Sequence, residues 1–214
     1  MWWFITLSIF CMLLIYKAWR LRIKRLEFIN RFTFDLSIRR RIAEKYPHLT
    51  PSQIQQVLEG LRDYFIVVVM ARGSGVLSMP SQAVDEAWHA FILSTKSYAS
   101  FCKRAFGKFL HHHPAETMTA PTQATIGIKR TWNLICRHEG INAANPAYLP
   151  RLFALDAELK IANGFVYSLN CLAVGSAQSF CASDIGSGCG GSDGCSGDNG
   201  GDGSGCGGGC GGGD

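Results

Sequence analysis

The chain has 214 residues, 47% hydrophobic and 17% charged, enough for one domain with a packed core. Its net charge of +5 is local: residues 17–45 carry ten Lys/Arg against Glu27, Asp35 and Glu44, a net +7, so the remainder is −2. A basic band this confined argues against a general nucleic-acid-binding surface, and no nucleic-acid partner is expected.

The first element explains the band. "MWWFITLSIFCMLLIYKAW" has no charge before Lys17. As a helix, Trp2 through Trp19 would measure about 27 Å, adequate for a bilayer core. Trp2, Trp3, Tyr16 and Trp19 stand at its ends, where aromatic belts sit. A cleavable signal peptide needs a basic region before the apolar run and a small-residue site after it, and both are missing. Residues 1–19 are therefore expected to form a single transmembrane anchor. Lys17, Arg20, Arg22, Lys24 and Arg25 all follow the span and none precedes it. The positive-inside rule then puts the bulk of the chain in the cytoplasm of a single-pass cell-membrane protein. Residues 20–46 are expected to run as a basic juxtamembrane helix along anionic headgroups.

A helical domain is expected over residues 47–180. Thr50 is a good N-cap, Pro51 suits the first helical position and Gln53 completes a capping-box pattern. Ile54, Val57, Leu58, Leu61, Phe65 and Val68 share one face, and "YFIVVVM" reads as buried all round. "MPSQAVDEAWHAFILSTKSYASFCKRAFG" reads as one amphipathic helix, with Val84, Trp88, Phe91, Ile92, Thr95, Tyr98 and Cys102 on its stripe. A further helix is predicted from Pro121 to about His138, with Ile126, Trp132, Ile135 and Cys136 as core. A short helix and one extended segment follow in "RLFALDAELKIANGFVYSLNCLAV", where Asp156 reads as a cap. The fold class is mostly α.

The chemistry gathers at the edge of that stripe. Asp85 and His89 lie one helical turn apart, and His111, His112 and His113 stand together in the exit loop. A carboxylate and an imidazole at (i, i+4) can ligate one divalent transition metal such as zinc, or the carboxylate can orient the ring. Without metal the pair could act as an acid–base couple, and a solvated polar edge would look the same. Glu86 leaves the ligand set open. No nucleophile, phosphate loop or cofactor fingerprint accompanies the pair, so no catalytic residue is assigned.

The run Val84-Asp85-x-x-Trp88-His89, followed by Leu93, Tyr98, Cys102, Gly107 and His112, resembles the core motif of the glycine-rich domain-containing protein-like family. The resemblance spans about residues 50–170 and extends to the Gly/Cys-rich end of the chain. Phe91 departs from the pattern, standing where plant members have a second histidine. The resemblance implies a functional Asp85/His89/His112 cluster and brings no enzyme activity.

Residues 181–214 are expected to form a disordered tail. From Gly186 onward there are sixteen glycines in 29 residues and no large apolar side chain. Cys189, Cys195, Cys206 and Cys210 are spaced too irregularly for a folded zinc module, though a flexible chain of thiols could collect soft metal ions.

Together these features describe a membrane-tethered cytoplasmic binding protein. Its candidate metal site is Asp85, His89 and His112 with His111, and the tail thiols are a looser second site. A metal-dependent hydrolase using the same cluster and a pure protein-interaction module, with a protein partner, are the alternatives.

Overall fold

The computed structural model describes residues 2–73, 75–112, 121–169, 179–182 and 185. The four tail cysteines, His113 and residues 186–214 lie outside them. Among the described residues there are seven helices and one pair of short strands. Helix α1 is Trp2–Arg31, α2 Leu36–Lys45, α3 Pro51–Met70, α4 Gln82–Leu93, α5 Thr95–Ala105, α6 Pro121–Glu139 and α7 Arg151–Glu158. Strands β1 (Val166–Ser168) and β2 (Ser179–Cys181) pair in parallel, with Tyr167 opposite Phe180.

Helix α1 is continuous for 30 residues, and its length and composition suffice to cross a membrane. Its first half stands clear of the rest: Trp2, Trp3 and Phe4 are among a run of exposed large side chains that reaches Trp19. Its last turns enter the domain, where Ile29 is 1% exposed. Residues 20–46, expected as one basic helix, are divided between α1 and α2 by the segment 32–35. The division has a packing cause. Phe34, Ile38 and Ile42 are buried in the common core, and a straight continuation of α1 could not deliver them there. Arg62 of α3 closes the end of α1, donating to the carbonyl oxygens of Ile29 (2.7 Å), Phe32 (3.0 Å) and Asn30. A guanidinium here satisfies carbonyls that have no partner within the helix and opposes the negative end of its dipole.

The central element is α3. Thr50 and Gln53 form the capping box that their spacing predicts. Val57, Leu58, Leu61, Phe65 and Val67 are each fully buried, every one contributing about 1.5–3 kcal/mol of apolar transfer. Gly60 lets two neighbours approach α3 closely, since a β-carbon there would meet Leu155 Cδ1 at 2.5 Å and Val84 Cγ2 at 2.8 Å.

The stretch expected as one helix over 79–107 is two. Helix α4 stops at Ser94, whose backbone (φ −82°, ψ 60°) leaves the helical region, and α5 starts at Thr95. The break turns α5 so that Phe101 reaches Phe32, Phe65 and Phe91 at ring separations of 4.7, 4.9 and 5.3 Å. Thr95 is consequently exposed, and so is Ile126, assigned to the core from its spacing in α6. Trp132, Ile135 and Cys136 are fully buried, and burial pushes the Cys136 thiol up to about 12.

Asp156 of α7 holds the start of α4. It accepts from Ser81 Oγ (2.6 Å) and from the backbone N–H groups of Gln82 (2.7 Å), Ala83 (3.2 Å) and Phe165 (2.9 Å). Ser81 Oγ in turn accepts from Val84 N at 3.2 Å. The cap read at Asp156 thus serves a helix that begins 74 residues upstream. This contact sets the position of the helix that carries Asp85.

Candidate metal centre

Asp85 and His89 project from successive turns of α4, at the rim of the core stripe formed by Val84, Trp88 and Phe91. His112 arrives from the segment after α5. Gly107, at φ +78°, ends that helix by donating to the carbonyls of Cys102 (3.2 Å) and Lys103 (3.1 Å) and reverses the chain. The reversed segment is then fastened. Trp88 Nε1 donates to Tyr98 Oη at 3.1 Å, and Tyr98 Oη donates to the carbonyl of Leu110 at 2.6 Å. Burial raises the Tyr98 hydroxyl, which keeps its proton available for that bond.

So placed, His112 Nε2 lies 2.9 Å from Asp85 Oδ1, and His89 Nε2 lies 3.8 Å from Asp85 Oδ2. The two imidazole rings meet edge to face at 4.4 Å, and Trp88 closes the inner side against His112 at 4.5 Å. One donor atom from each of Asp85, His89 and His112 lies within 4.8 Å of the others. The side chain of His112 is 11% exposed, against 30% for Asp85 and 44% for His89, so the cluster has a closed inner wall and an open outer face.

The donor set suits a transition metal. Two imidazoles and a carboxylate are nitrogen and oxygen ligands of borderline hardness, compatible with zinc or ferrous iron. Tetrahedral bonds of about 2.0–2.1 Å put ligand atoms about 3.4 Å apart. Relative to that spacing, the 2.9 Å contact of His112 with Asp85 would open and the 3.8 Å contact of His89 with Asp85 would close. Alternatively, His112 Nε2–H keeps its bond to Asp85 and the ring presents Nδ1, which makes the carboxylate an orienting partner.

The other sequence-selected residues fall elsewhere. His111 is exposed and rests on the Phe109 ring at 4.9 Å, outside the three-residue group. Glu86 pairs with Lys45 of α2 at 3.3 Å and lies outside the group of Asp85, His89 and His112. Phe91 is fully buried among Phe34, Tyr98 and Phe101, so its position is a packing position. The Trp88–Tyr98–Leu110 relay was missed by sequence reasoning. On its spacing Trp88 reads only as core, although a buried indole or phenol usually finds a hydrogen-bond partner.

These features define a helical protein with one apolar N-terminal helix and an Asp/His cluster at the rim of its core. Residues 24–185 match the UCP032817-like family, and the chain belongs to that uncharacterised family. No curated protein and no solved structure matches it. The family match overturns the resemblance to the glycine-rich domain-containing protein-like family, which nothing else indicates. Physically, Val84, Trp88, Tyr98 and Cys102 of that motif are buried packing residues. Their spacing reports how two helices fill a core, a requirement many chains share.

Proposed function

We propose that this protein is a membrane-tethered binding protein that holds a divalent transition metal between Asp85, His89 and His112. The observation carrying this reading is the convergence of three donor atoms within 4.8 Å from two separately fastened segments. The tether is α1, whose exposed apolar half would lie in the bilayer with the basic turns after it on the cytoplasmic side. The metal would be held by neutral imidazole nitrogens and one carboxylate oxygen.

The open outer face favours a second reading, a metal-dependent hydrolase. Three protein ligands leave a coordination position for water on the side where His89 is exposed.

The test is metal retention by the full chain in detergent, with Cys189, Cys195, Cys206 and Cys210 replaced by serine to silence the tail. Equilibrium dialysis against zinc, then elemental mass spectrometry, should find about one equivalent. His112→Ala and Asp85→Asn should each lose it while the helical circular dichroism persists. Equal retention by parent and variants would remove the site. Turnover of a chromogenic ester or phosphodiester by the zinc-loaded protein, absent in His112→Ala, would select the hydrolase.

A further inference from the structure

The cations of this chain are not confined to the band after the apolar helix. A second set is gathered by the fold at one end of the domain. Helix α5 runs antiparallel to α1: Phe101 packs on Phe32 and Phe28, at 4.7 and 5.6 Å, and the end of α5 lies further toward the apolar half. A β-carbon on Gly107 would sit 2.5 Å from Arg25 Nη2. Arg104 stacks over Phe28 at 4.3 Å. The end of α3 comes to the same place, because a β-carbon on Gly73 would lie 3.7 Å from Lys108 Nζ.

Arg25, Arg104 and Lys108 therefore meet at one rim. Arg72 and Lys103 adjoin it in sequence, next to Gly73 and Arg104, and the 47%-exposed Phe109 follows Lys108. All of these cations except the half-buried Arg25 are exposed. Among the described residues little opposing charge reaches the α3 and α5 side of this rim, and Glu27 on the α1 side pairs with Arg31 at 2.9 Å. From Tyr64 to His112 the only carboxylates are Asp85 and Glu86, and both belong to α4, turned toward His112 and Lys45. Along α1, Arg25 stands six residues beyond Trp19, about 9 Å. That is within about one Debye length of the interface where an aromatic belt would sit.

We infer that this rim is a docking surface for anionic lipid headgroups, which seats the domain against the bilayer and does not leave it swinging from α1. The inference rests on the reading of α1 as a membrane span and is independent of metal binding. The occupant is argued from charge complementarity and from continuity with the apolar helix. Cations beside an exposed phenylalanine match the headgroup–acyl boundary of an anionic leaflet.

The test is hydrogen–deuterium exchange of the full chain in lipid nanodiscs, zwitterionic phosphatidylcholine against the same lipid with about one third phosphatidylglycerol. Amides of residues 70–76 and 102–110 should exchange about tenfold more slowly in the anionic discs, and molar salt should abolish the difference. Lys103→Glu/Lys108→Glu should lose the difference. Lys96→Glu, at the opposite end of α5, should keep it. Equal exchange in both lipids, or equal loss in the Lys96 variant, would overturn the inference. Failure of the chain to co-elute with discs would sink the span reading and the docking surface together, whereas co-elution with equal exchange would sink only the latter.

Discussion

His112 Nε2 stands 2.9 Å from Asp85 Oδ1 although 27 residues separate them, and the indole–phenol–carbonyl relay behind them fastens the segment that makes the contact. The arrangement separates donors from positioning groups, and each can be altered alone.

Among the histidines, His112→Ala should weaken zinc binding by at least about tenfold, the usual scale for loss of a ligand or its partner. His89→Ala should do the same, and His111→Ala should leave affinity unchanged, since that ring lies against Phe109. Competition titration with a chromophoric chelator measures all three. A large effect at His111 would show that the ligand set is drawn wrongly.

Tyr98→Phe removes one hydroxyl and no donor atom of the cluster. It should release the Leu110 carbonyl and leave Trp88 Nε1 without its acceptor, costing about 1–3 kcal/mol of stability. Zinc affinity should fall by about tenfold, because His112 would have to be ordered on binding. A variant with lowered stability and unchanged affinity would show that the relay serves packing only.

Arg62 joins α3 to the end of α1 through the carbonyls of Ile29, Asn30 and Phe32. Arg62→Met keeps the stem and removes the donors. About 1–3 kcal/mol should be lost, read as a lowered denaturation midpoint with helix content nearly intact. Proteolysis between 31 and 36 should accelerate if the contact ties the apolar helix to the domain. An unchanged cleavage rate would deny it that role.

Asp63 supplies a pH prediction. It is 7% exposed, and its Oδ2 accepts no hydrogen bond from the described residues, although Arg151 Nε attracts it from 3.5 Å. Burial raises its carboxyl above the ordinary value of 3.8, outweighing the opposing pull of Arg151. Glu139 is raised likewise, by burial and by Asp63. A carboxyl raised in the folded state binds its proton more tightly there than in the unfolded chain. Its contribution is therefore favourable at low pH and is lost as pH rises from about 4 through the raised value. Asp63→Asn should flatten that part of the urea-midpoint profile and be no less stable than the parent at pH 7. A marked loss at pH 7 would mean that the ion pair with Arg151 dominates.

Local pattern was enough for much of this molecule. The capping box at Thr50, the burial of Asp63 through Val67 in α3, the near-complete extent of α6 and the apolar start of the 30-residue α1 follow from residue type and spacing. These are properties of a few consecutive turns, set by backbone hydrogen bonding and side-chain entropy. The neighbourhood of Asp85 and His89 was equally legible, since helix pitch alone puts residues i and i+4 on one face.

What periodicity could not reach was decided by packing between segments. The break at Ser94 carries no glycine or proline, and it exists because Phe101 must meet Phe32 and Phe65. The passage of Phe34, Ile38 and Ile42 from a basic stretch into the core depends on the turn after α1. His112 approaches Asp85, and His111 does not, because Gly107 and the Leu110 carbonyl set the register of the returning chain. Asp156 could be read as a cap but not as the cap of α4, which begins 74 residues before it. Sequence determined where the chain is helical and the chemical types available; tertiary contacts chose where two of those helices break and which residues meet, because free energy that depends on distant neighbours leaves no periodic trace in a single chain.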